Sequence, residues 1–266
     1  MSAIQDIPRI RLSQDGPLPD LVREQICHRF AEVGVMHFEQ ILTPDHVSAL
    51  HLAYEAKYAA YHRDMLHDDA LHVGDRRNMI TVALAGPFND PLVYANPSVM
   101  PVLEALLDYQ VRLGSFVSVT SLPGAKDQEP HLDMPLLFED ESMGTQLPSY
   151  CLTLVVPLVP MNAQNGTTAY YPASHLTVSH EHPESPPALP EVPIGDALLF
   201  DCRVWHGGTE NRSDAPRPVL YNTYQRPWFR DQVNFGQQEP LIIPQTEWDH
   251  VPEEHRLLLE WCTITE

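Results

Sequence analysis

"GDALLFDCRVWHGGTEN", residues 195–211, is the stretch on which the fold turns. An apolar run from Ala197 to Phe200 leads through a mixed segment to His206 and stops at a Gly-Gly pair. The whole reads as a strand with a histidine near its end. Four stretches share its character: "LGSFVSVTSLPG" (113–124), "SYCLTLVVPLVP" (149–160), "TTAYYPAS" (167–174) and "RPVLYNTYQRPWF" (217–229). They are rich in Val, Tyr, Phe and Thr and are punctuated by Gly, Pro or Asn, as strands are. The Asn165-Gly166 pair in "AQNGTT" predicts a hairpin between two of them.

Upstream the pattern is helical. "LPDLVREQICHRFAEVG" (18–34) gathers Leu21, Val22, Ile26, Phe30 and Val33 near one face, with Gly34 as a stop. A short strand "VMHFEQ" follows. Thr43 then serves as N-cap and Pro44 as first helical residue of a helix running through "DHVSALHLAYEAKYAAYH" (45–62). A further helix is expected near 97–110. Helices first and antiparallel strands after predict one mainly β domain over residues 1–266. Its parts are a helical and mixed N-terminal region to about 110, a double-stranded β-helix core (jelly-roll, cupin-like) over about 111–229, and a C-terminal extension, 230–266.

The composition narrows the partners. A net charge of −20 argues against nucleic acid, which needs Lys and Arg clusters, and against an anionic membrane surface. No signal-peptide core and no apolar run of membrane-spanning length is present, so a cytoplasmic setting is expected. The cysteines Cys27, Cys151, Cys202 and Cys262 form no C-x-x-C pair and read as free thiols. The 26 prolines are about twice ordinary usage, many of them in a surface loop, "HPESPPALPEVP" (182–193). The expected partner is a small-molecule substrate, with a homodimer left open as the assembly.

"QEPHLD" supplies the chemistry. On a strand, residues i and i+2 share a face, so His131 and Asp133 would project side by side. Alone, the pair also fits a half-exposed strand end. With His206 it forms two histidines and one carboxylate, a set that takes three positions of an octahedron around Fe(II) and leaves three open for a cosubstrate and O2. A structural zinc site would want four protein ligands, usually with sulfur, and no cysteine is placed for that. Arg217 lies eleven residues past His206, beyond a turn-rich segment. Chain reversal there would make its strand the antiparallel neighbour of the His206 strand. Its guanidinium could then grip a carboxylate with two parallel hydrogen bonds.

These residues, with "NGTTAYYPASH" (165–175), resemble the phytanoyl-CoA dioxygenase superfamily of Fe(II)/2-oxoglutarate oxygenases, and most nearly its natural-product-tailoring branch. The resemblance spans roughly residues 74–229. It implies His131, Asp133 and His206 as iron ligands and Arg217 as the partner of the distal 2-oxoglutarate carboxylate. It also implies Thr168 and Gln128 as cosubstrate-pocket residues, and an arginine on the early strand, Arg77 in preference to Arg76. The expected reaction is oxidation, most simply hydroxylation, of a small molecule's C–H with Fe(II), 2-oxoglutarate and O2. Halogenation is disfavoured because Asp133 is retained. A non-oxidative metalloenzyme or a binding barrel is the rival reading. Ala173 stands where the family pattern has glycine, a difference in a turn.

The histidine tracts 67–72 and 179–184 read as solvated loops. His175 reads as structural, and Trp205, Tyr221 and Tyr224 as core or pocket wall. Substrate contacts are expected from 67–90, from 134–146 and from the tail after Trp228.

Overall fold

The structure is a computed structural model and describes all residues except 1–5, 13–17, 63–69, 109, 135, 139, 178 and 237. Part of the 67–72 tract therefore lies outside the described residues. In chain order the elements are β1 (Arg9–Arg11), α1 (Asp20–Val33), β2 (Val35–Glu39), α2 (Pro44–Tyr58), β3 (Leu71–His72), β4 (Arg77–Thr81), α3 (Pro91–Tyr94) and α4 (Met100–Leu107). Then come β5 (Arg112–Ser121), α5 (Glu141–Thr145), β6 (Cys151–Pro157), β7 (Thr168–Tyr170), β8 (Ala197–Asp201), β9 (His206–Gly208), β10 (Arg217–Gln225), β11 (Ile242–Pro244), α6 (Gln245–Trp248) and β12 (Thr263–Thr265).

The helix-end signals act as read, but Leu21 of the expected apolar face is exposed and only Ile26, Phe30 and Val33 of α1 are buried. The Thr43 side chain accepts a hydrogen bond from His46 N–H at 3.2 Å, and Pro44 opens α2, which tightens into a 3₁₀ turn over Ala59–His62. Gly34 ends α1 at φ 76°, its N–H bonded to Phe30 O. A Cβ there would also strike the His175 ring at 2.4 Å, so glycine is required twice over.

Eight strands form one mixed sheet in the order β1-β2-β8-β6-β10-β5-β4-β3, in which only β1 and β2 run parallel. Both faces are buried. Phe116, Leu152, Leu154, Leu220 and Tyr224 look outward to a core shared with Ile26 and Phe30 of α1, Leu50 and Tyr54 of α2 and Leu103 of α4. Alternate residues look inward, where Val155, Leu198, Phe200 and Val219 pack against Tyr170 of a second, two-stranded sheet, β7-β9. Each fully buried apolar side chain of this kind contributes about 1.5–3 kcal/mol.

Four expectations about connectivity are corrected. "DALLFDCRVWH" is two strands, since β8 stops at Asp201 in the large sheet and β9 starts at His206 in the small one. The break has a cause. Asp201 accepts from Arg203 N–H at 3.0 Å and forms a two-pronged pair with its guanidinium, 2.8 Å on each arm, which folds the chain into a turn. Second, Asn165-Gly166 does turn, at Gly166 φ 84° and with Thr209 O 2.6 Å from where a Cβ would sit, but it builds no hairpin ladder. β6 pairs with β8 and β10, whereas β7 pairs with β9. Third, Arg217 opens β10, whose neighbours are β5 and β6, so it is not on a strand paired with the His206 strand. Fourth, His131 and Asp133 are not on a strand; His131 makes a single bridge to His206.

The Asp201–Arg203 turn yields a stability prediction. Burial works to raise the Asp201 pKa, but the hydrogen bond and charge of Arg203 outweigh it and hold the carboxyl below its usual range. A depressed carboxyl contributes stability that is present above the unfolded value of about 3.9 and is lost as pH falls through the folded one. Arg203→Met should therefore cost on the order of 3–5 kcal/mol at neutral pH, because it strands a buried charge. Melting temperatures from pH 7 downward should show the gap to wild type closing in acid; a constant gap contradicts this account.

Candidate metal centre

His131, Asp133 and His206 hang from two segments that the backbone clamps together. His131 N–H donates to His206 O at 2.8 Å, and His206 N–H donates back to His131 O at 3.0 Å. The three ligating atoms lie within 4.8 Å of one another. His131 Nδ1 faces Glu129 O and His206 Nδ1 faces Val204 O, each at 2.9 Å. A carbonyl can only accept, so each Nδ1 carries the proton and each Nε2 is left with its lone pair toward the site. His206 Nε2 lies 3.3 Å from Asp133 Oδ1. Phe200 and Tyr170 back the His206 ring.

Without a metal, the three groups shift one another's titration. Burial and then the charge of His206 hold His131 below the usual histidine range. Burial also works to lower His206, but the Asp133 carboxylate outweighs it and raises the imidazole. For Asp133, burial is outweighed by His206, so the carboxyl sits low and is ionised.

Beside the triad opens a cavity of about 360 Å³ whose wall includes Thr153, Thr168, Tyr221 and Thr223 together with Asp231 and Asn234. Arg217 is buried and is not among the described wall residues, although it lies near Tyr221, which is, and its Nε has no hydrogen-bond partner among the described residues. Burial pushes Arg217 down to about 10, with nearby Arg77 adding to the fall. A buried, partly starved guanidinium is a site for an anion. Thr168 sits opposite Gly208 in the small sheet, two pairs along from Tyr170 and His206.

Two other expected residues are placed differently from one another. Arg77 points inward and is fully buried, while Arg76, at φ 50°, is exposed and donates to Pro123 O. Arg77 gives most of its donors to main chain: Thr209 O at 2.8 Å, Gly208 O at 3.3 Å and Lys126 O. Only its Nε lacks a partner. Gln128 lines the cavity, but both ends of its amide are engaged, by Val73 O and by Gly208 N–H at 2.7 Å. It braces β9 beside His206.

Several site residues had no specific signal in the sequence. Tyr221, read as core or pocket wall, lines the cavity, whereas Thr223 was legible only as an alternate position on the strand that Arg217 opens. Asn234 was not legible: its Nδ2 donates to Asp133 O at 2.8 Å and to Asp231 Oδ2 at 3.0 Å, which ties the segment after Trp228 to the metal loop. His175, read as structural, is buried with Nε2 at 3.1 Å from Ala31 O. Tyr224 is core. Among the described residues no helix is long and apolar enough to cross a membrane, and all four cysteines are free.

The family model for phytanoyl-CoA dioxygenase (PhyH) matches residues 30–219. Dioxygenase trt7 of Aspergillus terreus is 25% identical over 265 aligned residues, covering 91% of this chain and 90% of its own length. The Fe(II)/2-oxoglutarate-dependent dioxygenase nvfF of Aspergillus novofumigatus is 26% identical, with 80% of this chain and 75% of its own covered. In fold, the chain is similar to the epimerase SnoN solved with Fe3+, alpha ketoglutarate and nogalamycin RO, at TM-score 0.61 and 19% identity over 84% of this chain and 94% of that one. It is likewise similar to AviO1 of Streptomyces viridochromogenes, at TM-score 0.58 and 19% identity over 80% and 99%.

Proposed function

The chain belongs to the phytanoyl-CoA dioxygenase family and is an enzyme of the Fe(II)/2-oxoglutarate-dependent dioxygenase class, and from that premise we propose that it hydroxylates an unactivated C–H of a small molecule, releasing succinate and CO2. We read residues 1–266 as one domain around a double-stranded β-helix whose two sheets hold the site between them. The observation that carries the proposal is the unpartnered Nε of buried Arg217 beside a hydroxyl-lined cavity that ends at the triad.

In this reading His131 and His206 supply Nε2 and Asp133 a carboxylate oxygen to Fe(II), three ligands of the facial kind. When bound, the iron supplies the coupling of O2 reduction and 2-oxoglutarate decarboxylation to C–H oxidation. The protein's share is orientation. Glu129 O and Val204 O fix the two imidazoles, and the Gln128 amide and Arg77 guanidinium hold the strand that presents His206. Arg217 receives the distal carboxylate, with Thr168 and Tyr221 adding hydroxyls. Asn234 bonds the carbonyl of Asp133 and so steadies the loop of the carboxylate ligand. Asp133 and Asp231 are the acidic residues of the described cavity wall, and Arg217 near it is assigned to the cosubstrate, so a polyanionic substrate such as an acyl-CoA finds no further counter-charge on that wall.

Anaerobic addition of Fe(II) and 2-oxoglutarate should produce the weak visible charge-transfer band of a metal-chelated 2-oxo acid. Admission of air should then release succinate. Absence of the band at saturating concentrations rejects the oxygenase reading in favour of a non-oxidative metal site.

A further inference from the structure

A second cavity, of about 370 Å³, opens on the outer side of the metal loop. His131, Leu132 and Met134 border both cavities, so one member of the triad, His131, faces both, while Asp133 and His206 line the inner one. The two differ in chemistry. The inner one holds the hydroxyl row and adjoins Arg217. The outer one is walled by Leu132, Met134, Leu136, Phe138 and Trp205, and its described lining contains no Asp, Glu, Lys or Arg. The polar side-chain groups of its described lining are the imidazoles of His131 and His180 and the indole N–H of Trp205.

The outer wall is built rather than loose. Leu136 and Phe138 belong to the connection between Asp133 and β6, and that connection is tied at two points. Arg203 donates to Leu147 O at 2.9 Å, and His180 N–H donates to Glu141 Oε1 at 3.0 Å, which joins the two banks of the cleft. Yet Phe138 and its neighbour Leu137 remain 39% exposed. Apolar side chains fixed around a cleft and left facing water mark a place that another molecule covers.

We propose that this outer cleft is the substrate site and that its occupant is an uncharged, ring-bearing, largely hydrocarbon compound. The assignment rests on the oxygenase reading above. The inner cavity has the hydroxyls that a dicarboxylate needs, with Arg217 near its Tyr221 wall, so the outer cleft is left for the molecule to be oxidised. A charged group there would lose its water and gain no counter-charge. The faces of Phe138 and Trp205 favour flat rings, and His180 offers one hydrogen bond to a carbonyl or hydroxyl at the far end. The histidine tract 179–184 is thus loop, as its composition predicts, but His180 has a place beside the site.

The test uses 1-aminoanthracene, a neutral ring compound that brightens in apolar surroundings, with wild type and with Phe138→Glu and Leu136→Glu. Both positions are at the surface or half-buried, so the fold should survive; an unchanged Fe(II)/2-oxoglutarate band checks this. The affinity of the probe should fall tenfold or more in each variant. With Mn(II) and 2-oxoglutarate bound, the probe's proton relaxation should be enhanced, marking contact with the metal's surroundings. Equal affinity in all three proteins, or no enhancement while Mn(II) is bound, overturns the assignment. If Mn(II) itself does not bind, the metal reading fails, and the cleft's role as substrate site fails with it whatever the fluorescence shows.

Discussion

Arg217→Ala is expected to weaken 2-oxoglutarate binding by about tenfold to thousandfold, the equivalent of a few kcal/mol for a buried charged group left without its partner. The effect should be specific to the distal carboxylate. A 2-oxo acid lacking that group should lose little between wild type and variant, because it never engages the guanidinium. Arg217→Lys keeps a charge but loses the planar two-pronged donor, so it too should weaken binding clearly. Iron affinity should stay the same in both variants, since Arg217 is on β10 and is not one of the three clustered ligands. Calorimetric Kd values for both acids in the three proteins decide the matter. Equal losses for the two acids would make Arg217 a structural residue.

His206→Ala should remove measurable Fe(II) binding and all succinate release. Two remaining ligands, His131 and Asp133, cannot define a facial set. Even loss of a partner that merely orients a ligand costs about 10- to 100-fold in metal affinity, so loss of the ligand itself should exceed that. The metal-free fold should survive, because the main-chain bridge between residues 131 and 206 uses no side chain and Tyr170 and Phe200 are packed independently of the imidazole. Co(II) titration followed by calorimetry and a melting curve gives both numbers. Retained turnover with iron bound would remove His206 from the ligand set.

Local chemistry was well legible in the sequence. Thr43-Pro44 and Gly34 announced their helix ends because caps are decided by neighbouring residues alone. The choice of Arg77 over Arg76 rested on the family resemblance rather than on local pattern, and the structure turns Arg77 inward. What was not legible depends on partners distant in sequence. The switch of the chain between sheets after Asp201 is enforced by a buried ion pair and by Ser149, whose hydroxyl donates to the same carboxylate at 2.6 Å. The pattern of apolar residues does not encode that. For the same reason Arg217 was expected beside the His206 strand, when its strand instead lies across the site in the large sheet. Asn234 carried no mark at all, since its value is a single bond to a carbonyl about a hundred residues away.

The clamp between residues 131 and 206 separates two kinds of change. The two histidine ligands are oriented by main-chain carbonyls and by one reciprocal pair of amide bonds, all within 129–131 and 204–206. Part of the outer-cleft wall is fixed with them, since His131 and Trp205 lie in those segments, but Leu136 and Phe138 belong to the stretch between Asp133 and β6. Its length and side chains can therefore be rewritten while the reactive centre keeps its shape. A library confined to residues 136–148, with Glu141 and the contacts to Arg203 preserved, would search for new substrates without risking the machinery that activates oxygen. In such a scaffold selectivity and reactivity are heritable separately.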